Sequence, residues 1–280
     1  MSLISKLKDI QQQLMLNNKN QIYIAPNKAL RGYVAKYTLS FASNASVPDM
    51  MTLIPDASGC LIFTFDGSSV TSLLWGTTTK TFNVKNDMYY YPIQLYIELL
   101  PGGLFYLTGI KQAELTNLQM PLQQINNTLH FLISNAFENA ETLNCFISNI
   151  NSILLSYFQN RTLPQTLFSA LENVKRYNGC LSVRELAKME FYSERHLNRL
   201  FNDYVGTNIK TFSSIVRINH VLQEMSSGRR LTADTAQTSG FYDQAHFIRT
   251  FKTICGETPK KYFENMSDLY NESYKKIYII

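Results

Sequence analysis

Residues 181–201 read LSVRELAKMEFYSERHLNRLF, and residues 231–252 read LTADTAQTSGFYDQAHFIRTFK. Each stretch predicts a short helix, a tight turn and a second helix, and Ser182, Ser193, Thr232 and Asp243 stand where the N-caps of these four helices belong. The first helix of the second stretch is predicted over residues 232–239. The second helix of each pair carries basic or amide side chains on one face and leucine or phenylalanine on the other. This layout is typical of a helix-turn-helix, which seats one helix in a major groove of DNA. Two copies in tandem predict a protein that reads two successive grooves.

The polar face of each recognition helix supplies the predicted base contacts. In the first helix Arg195, Asn198 and Arg199 share one face by their spacing of three and four residues. Arginine and asparagine pair bidentately with guanine and adenine edges. For a single helix, the more common explanation of such a pattern is a polar face exposed to solvent. The second helix, with Gln244, His246 and Arg249 in the same context, favours base reading instead.

A long helix predicted over residues 209–226 would hold the two recognition helices apart. Its 18 residues span about 27 Å, and successive major grooves on one side of B-DNA lie about 34 Å apart. A strut of this size suits two adjacent grooves if the DNA bends modestly. Several basic residues around the second unit are candidates for phosphate contacts, namely Arg229, Arg230, Lys252, Lys260 and Lys261. Ordinary surface charge explains each of them, taken singly, equally well.

These residues resemble the DNA-binding domain of the AraC/XylS transcriptional regulators. The second unit matches that family at Gly240-Phe241, Asp243-Gln244, His246-Phe247, Arg249, Phe251-Lys252, Gly256, Pro259 and Tyr262, and the first at Leu186-Ala187, Ser193, Leu197, Arg199-Leu200-Phe201 and Gly206. The resemblance implies that Arg195, Asn198 and Arg199 read one groove and that Gln244, Ala245, His246 and Arg249 face the next. Ala245 could offer only a methyl contact, for instance to thymine.

The resemblance extends to Arg217, which matches the family's usual arginine early in the connecting helix and joins the phosphate candidates. Three positions depart from the family pattern: Thr235 replaces Ile or Val, Val221 replaces a common Ala, and Phe263 stands where an Arg often follows Tyr. Thr235 would loosen the packing of its helix, and Phe263 puts one phosphate contact in doubt. None of the three lies on a base-reading face.

The N-terminal half predicts strands between Gln21 and Leu118. Short alternating segments, among them residues 33–39, 61–65, 89–91, 95–100 and 104–107, are separated by the turns Asp66-Gly67 and Pro101-Gly102-Gly103. We expect an antiparallel barrel or sandwich, of which a cupin-like fold is one version. Aromatic residues that could line an effector pocket there, although they are more often simply core, are Tyr37, Phe63, Phe65, Trp75, Tyr96 and Phe105.

Helical periodicity begins before the helix-turn-helix units. An N-terminal helix is predicted by the spacing of Ile4, Leu7, Ile10 and Leu14. A later helix carries a wide apolar stripe, made of Leu143, Phe146, Ile147, Ile150, Leu154 and Phe158. The stripe would pack on the barrel, and whether it also pairs two chains stays open. The predicted organisation is α+β: a regulatory domain over residues 1–160, a linker over 161–166 around Pro164, an all-α domain over 167–266 and a tail over 267–280.

Charge, cysteine spacing and hydrophobicity restrict the partners, cofactors and locations that we expect for this chain. Residues 1–165 carry a net charge of +1 and residues 166–280 one of +4, a weak bias that suits a polyanion partner. The four cysteines show no metal-binding spacing and predict buried, reduced thiols, as in a cytoplasmic protein. We predict no metal and no cofactor, and no run of apolar residues is long enough to span a membrane.

Two other classes of function are less consistent with the sequence than a transcription regulator. An enzyme lacks support, because the sequence offers no Ser/His/Asp grouping and no glycine loop for phosphate. DNA-repair methyltransferases with a similar DNA-binding unit need a metal-bound cysteine cluster, and Cys60 has no such neighbours. An interaction protein that no longer binds DNA fits poorly with Arg199 and Arg249. The expected partners are promoter DNA and a ligand or protein at the N-terminal domain, with RNA polymerase and a second copy of the chain as further candidates.

Overall fold

A computed structural model describes residues 21–42, 50–85, 90–159, 163–226 and 239–264. An antiparallel β-sheet domain with flanking helices precedes an all-helical domain, so the predicted α+β class is confirmed. The predicted N-terminal helix, the helix over residues 232–239 and the C-terminal tail fall wholly or mainly outside the described residues.

The N-terminal domain is built on one large antiparallel sheet of six strands in the order β1-β2-β7-β4-β5-β8, and a separate pair of strands, β3 and β6. All the pairings are antiparallel. The strands are β1 (Gln21–Ile24), β2 (Val34–Phe41), β3 (Met50–Leu53), β4 (Cys60–Phe65), β5 (Val70–Trp75), β6 (Phe82–Lys85), β7 (Ile93–Leu99) and β8 (Gln119–Pro121).

The two faces of the large sheet differ in chemistry because side chains alternate along each strand. The apolar face packs against helices: Tyr37 donates a hydrogen bond from its hydroxyl to Asn151 Oδ1 (2.9 Å), and Ser72 Oγ lies 2.7 Å from His130 Nδ1. The opposite, polar face includes Thr38, Ser40 and Gln94, which are nearly fully buried. At one edge Trp75 turns its ring toward Phe82 of the smaller sheet, at 5.7 Å between centroids.

Nine helices are described, the first four before the helix-turn-helix units: α1 (Gly103–Thr108), α2 (Leu122–Asn139), α3 (Leu143–Gln159), α4 (Gln165–Arg176), α5 (Val183–Met189), α6 (Glu194–Tyr204), α7 (Ile209–Ser226), α8 (Gln244–Cys255) and α9 (Pro259–Glu264). Single 3-10 turns cover Lys28–Leu30 and Gln112–Glu114.

The predicted strand at residues 104–107 is wrong, since these residues form α1. Gly102 and Gly109 adopt left-handed backbone angles (φ +88° and +68°) at the two ends, and the Gly109 N–H donates to Phe105 O. A left-handed glycine after the last helical residue is a common helix stop. Tyr90 and Tyr91, also predicted as strand, lie in a turn, and Tyr89 lies outside the described residues.

The apolar stripe of α3 is buried within the chain. Phe146, Ile150 and Leu154 have no exposed surface, and Phe146 packs its ring on Phe137 of α2 at 4.6 Å between centroids. The part of the earlier prediction that places this helix on the N-terminal domain is therefore confirmed. Pairing of two chains through the same stripe stays a prediction. Most apolar side chains of the stripe are buried within the chain, so few are accessible to a second copy.

Candidate nucleic-acid interface

The first helix-turn-helix unit consists of α5 and α6, and side chains cap both helices as predicted. Ser182 Oγ accepts from Glu185 N–H (3.2 Å), while Glu185 Oε2 accepts from Ser182 N–H (2.8 Å). This reciprocal capping box satisfies two backbone donors that the first helical turn leaves open. The hydrogen bonds from Ser182 lower the pKa of the Glu185 carboxyl. Ser193 Oγ caps α6 by accepting from His196 N–H (3.2 Å).

The second unit ends in α8, which begins in the same way as α6. Asp243 Oδ1 accepts from His246 N–H at 2.6 Å, and Gly256, with φ +79°, ends the helix. The other capping residue predicted for this unit, Thr232, lies outside the described residues. Because α6 and α8 both start at a polar cap and bury a pair of apolar residues in the same places, they are equivalent recognition helices.

The two recognition helices separate apolar and polar residues cleanly. Leu197 and Phe201 of α6 and Phe247 and Phe251 of α8 are buried. The predicted base readers Arg195, Arg199, Gln244, Ala245 and Arg249 are exposed, and His246 is half-buried. The N-terminal domain therefore does not cover these side chains.

Asn198 is engaged inside the protein, unlike the other predicted readers. Its Oδ1 accepts from Ile209 N–H at 3.1 Å, and its Nδ2 donates to Glu194 O at 3.0 Å. Ile209 is the first residue of α7, so the amide caps the connecting helix. One acceptor and one donor position of the amide are thus already used within the protein. Asn198 supports the start of α7, and base reading by this residue stays a prediction.

A side-chain arrangement that the sequence analysis missed supports Arg199. Its Nη2 lies 3.2 Å from His196 Nδ1, and the His196 ring stacks on Tyr192 at 4.8 Å between centroids. The chain therefore restrains the guanidinium on the exposed side of α6. Spacing alone could have indicated the contact between residues 196 and 199, which lie three apart on a helix, but not the return of Tyr192 from the preceding turn.

Arg217 holds the two units together and does not point to solvent as a phosphate ligand would. Its Nη2 donates to Gly179 O (2.6 Å) ahead of the first unit, and its Nη1 donates to Gly240 O (2.9 Å) in the turn of the second. The guanidinium also lies over the Phe241 ring, 5.0 Å from its centroid. Burial lowers the pKa of Arg217. The physical reason for the difference from our expectation is the half-buried position of this residue on α7.

The other phosphate candidates lie in different surroundings. Lys252 and Lys260 are exposed, and Lys261 pairs with Glu257 at 3.0 Å between Nζ and Oε1. Arg229 and Arg230 lie outside the described residues. An exposed ion pair on the protein surface is weak, so the Glu257 contact leaves Lys261 available to a stronger anion.

The six aromatic residues predicted for an effector pocket do not meet in one place. Tyr37, Phe63 and Phe65 are buried on the apolar face of the large sheet, and Phe105 of α1 packs edge-on against Tyr204 at 4.7 Å between centroids. Trp75 and Tyr96 belong to the opposite, polar face, and Tyr96 donates its hydroxyl hydrogen to Gln94 Oε1 (2.9 Å).

The cysteines are free thiols with different exposures. Cys255 is buried and Cys60 is partly buried, whereas Cys145 and Cys180 are exposed, so the prediction of four buried thiols is wrong for those two. Burial raises the pKa of the Cys255 thiol to about 12. Within the described ranges no group of three or more His, Cys, Asp or Glu side chains could hold a metal ion, and no described helix combines the length and apolarity needed to cross a membrane.

Comparisons with known proteins agree with this geometry. A family described as a helix-turn-helix domain matches residues 186–265. The probable transcription factor PqrA from Proteus vulgaris is 30% identical over 95 residues, which cover 34% of this chain and 78% of that protein. This chain belongs to the AraC/XylS family of transcriptional regulators.

Two further comparisons are more limited. An uncharacterized HTH-type transcriptional regulator from Staphylococcus aureus is 26% identical over 150 residues, 54% of this chain, and the match spans only 18% of that relative's length. The crystal structure of ToxT from Vibrio cholerae covers 83% of this chain and 93% of its own, with 11% identity and a TM-score of 0.40. The assignment to the AraC/XylS family depends on the C-terminal half and not on that structural likeness.

The role of Arg217 predicts a stability effect. Arg217→Gln should lower the free energy of unfolding of this AraC/XylS protein by about 2–3 kcal/mol, because two hydrogen bonds from a charged donor are lost. Urea denaturation measures the change, with Arg184→Gln on exposed α5 as the matched control, which we expect to stay within about 0.5 kcal/mol of the unsubstituted chain. Equal stability of the two variants, together with a DNA-binding defect only in Arg217→Gln, would instead favour a phosphate contact.

Proposed function

We propose that this protein is a sequence-specific DNA-binding regulator of transcription that inserts α6 and α8 into successive major grooves. The observation that carries the proposal is the equivalence of these two helices, each capped at its start and each with exposed basic or amide side chains opposite a buried apolar face. Helix-turn-helix proteins contact bases with the N-terminal part of the recognition helix. Arg195 and Arg199, and Gln244 and Arg249, lie in that part.

The exposed position of the two helices and the family of the chain support the same function. The base readers on two helices remain exposed while the N-terminal domain is docked, so binding needs no separation of the domains. The relative from Proteus vulgaris carries the name of a probable transcription factor. We place the protein where chromosomal DNA is, in the bacterial cytoplasm. Contacts with RNA polymerase stay a prediction.

Selection of bound duplexes from a random pool by the purified full chain tests the function. We expect enrichment of a site with two half-sites about one helical turn, 10–10.5 base pairs, apart. Because phosphate contacts supply much of the affinity, binding should weaken steeply between about 50 and 200 mM salt. No enrichment, or binding that ignores salt, would contradict the regulator function.

Individual arginines should separate base reading from general DNA attraction. Arg199→Ala and Arg249→Ala should each cost about 1–3 kcal/mol on the selected duplex and relax specificity in one half-site only. Lys260→Ala is the control that should weaken all duplexes alike. Titrations of selected and random DNA measure both effects. Equal losses on the two kinds of DNA from both arginine variants would show that these side chains do not read bases.

We also propose that a ligand or a protein partner controls DNA binding from the N-terminal domain. Support comes from the polar face of the large sheet, where Thr38, Ser40 and Gln94 are buried and Tyr96 donates a hydrogen bond to Gln94. Near the same face Glu98 accepts a hydrogen bond from Thr38 (2.8 Å) and pairs with Lys36 (3.3 Å). Buried polar groups of this kind give a small amphipathic molecule places to bond.

A thermal-shift screen of metabolites tests this control. A compound that binds only the folded protein raises its melting temperature, and it should change DNA affinity as well, because coupling between two sites is reciprocal. Tyr96→Ala should remove the shift, whereas Phe105→Ala, on the other side of the domain, should keep it. A compound that stabilises both variants equally, or leaves DNA affinity unchanged, is not the effector of this face.

A further inference from the structure

One loop of the N-terminal domain contacts the ends of both recognition helices. Residues 76–81, here called the clamp loop, connect β5 to β6. Thr77 Oγ1 donates to the carbonyl of Val205, directly after α6, at 2.7 Å. Thr81 Oγ1 donates to the carbonyl of Ile254 in the last turn of α8. Two threonines four residues apart thus donate to two carbonyl groups, of Val205 and Ile254, that are 49 positions apart in the sequence.

These contacts give hydrogen-bond donors to carbonyl groups at the helix ends. The last four carbonyls of a helix have no partner within it, and a hydroxyl donor from another domain supplies one. At α6 a second threonine does the same, since Thr116 Oγ1 donates to Gly206 O at 2.6 Å. Gly206 has φ +90°, and a Cβ there would come within 2.6 Å of Thr116 Oγ1. The end of the first recognition helix is therefore fitted closely to the N-terminal domain.

Other contacts extend the same interface to the connecting helix. Lys111 Nζ lies 3.4 Å from Asp203 Oδ1 at the end of α6. Asn219 Nδ2, midway along α7, donates to Pro55 O at 2.8 Å. The N-terminal domain thus reaches both recognition helices and the helix that joins them.

The clamp loop itself is firmly supported. Asn117 accepts from Thr79 N–H (2.9 Å) through Oδ1, donates to Thr79 Oγ1 (2.8 Å) through Nδ2, and donates its backbone N–H to Thr77 O (2.8 Å). On the other side Thr78 N–H donates to Ser58 O (3.2 Å). A loop held in this way can transmit a fixed position to whatever its hydroxyls contact.

We propose that the clamp loop fixes the spacing and orientation of the two recognition helices, so that both fit a duplex at once. The inference rests on the proposed DNA-binding function. Its described contacts with α6 and α8 are at the C-terminal ends of these helices, and the predicted base readers in their N-terminal parts are exposed or, for His246, half-buried. It therefore positions the helices without blocking them. Holding two binding elements in place before association reduces the entropy that binding would otherwise cost.

Paired threonine variants test the clamp in the full chain. Thr77→Val together with Thr81→Val keeps the side-chain shape and removes both hydroxyls, whereas Thr77→Ser with Thr81→Ser keeps them. The probes are the duplex selected by the unsubstituted chain and the same duplex with one half-site scrambled. We expect the valine pair to bind the intact duplex about tenfold more weakly, on the scale of two lost hydrogen bonds, and the scrambled duplex about as well as before. The serine pair should bind both normally.

Spacing between half-sites supplies a readout that loss of stability would not change. Insertion of two base pairs should weaken binding by the unsubstituted chain far more than binding by the valine pair, whose helices are freer to adjust. The control is Thr64→Val, which removes the hydroxyl of a half-buried threonine that accepts a hydrogen bond from Gln94 within the sheet. If the valine pair does not fold, as judged by thermal melting, Thr81→Val alone should still show a smaller effect of the same kind.

The proposal is overturned if the valine pair matches the unsubstituted chain, weakens both duplexes equally, keeps full sensitivity to spacing or binds the intact duplex more tightly. The last result would mean that the domain contact restrains binding. Failure to select any duplex contradicts the DNA-binding function, whereas selection of a duplex that the valine pair binds normally contradicts only the clamp.

Discussion

A single guanidinium ties the two helix-turn-helix units into one body. Arg217 projects from the connecting helix α7 and donates to Gly179 O and Gly240 O, one from each unit. Loss of this half-buried charged donor leaves both carbonyls without their partner, which is costly. The close fit leaves little freedom, because a Cβ on Gly240 would come within 2.5 Å of Cys180 Sγ and one on Gly179 within 2.1 Å of Ser213 O. The relative position of the two helix-turn-helix units starts from this constraint.

A second set of restraints acts from outside the helical domain. The threonines of the clamp loop bond to the carbonyl ends of α6 and α8, and Asn219 bonds the middle of α7 to Pro55. The clamp loop begins directly after Trp75, on the polar face where we place effector binding, and Phe82 follows it on the smaller sheet. The clamp loop thus joins the end of β5 to the ends of both recognition helices.

Local chemistry in the sequence predicted most of the helical domain. Capping residues and the period of apolar side chains act within one or two turns, so Ser182, Ser193 and Asp243 marked helix starts correctly. The segment at residues 104–107 was mistaken for a strand because its leucines and aromatics favour strands, while the glycines at its ends decide for a helix.

Contacts between distant residues could not be predicted from local chemistry. Thr77 and Val205 are 128 positions apart, and nothing in the composition of either segment indicates the pairing. The type of residue at 198 and 217 suggested DNA contact, yet folding brings Asn198 to Ile209 N–H and Arg217 to two glycine carbonyls. A polar side chain on a helix can serve bases or backbone, and only the tertiary neighbours decide between them. The base-reading assignments of Arg195, Arg199, Gln244 and Arg249 stay predictions.

Chemical footprinting of the full chain on its selected duplex tests the central claim most directly. Two recognition helices held at fixed spacing predict two protected patches in the major groove, about 10–10.5 base pairs apart and on the same side of the DNA. Dimethyl sulfate reports such contacts at guanine N7, the atom that a bidentate arginine uses. A single protected patch, or two patches on opposite sides of the duplex, would contradict the account.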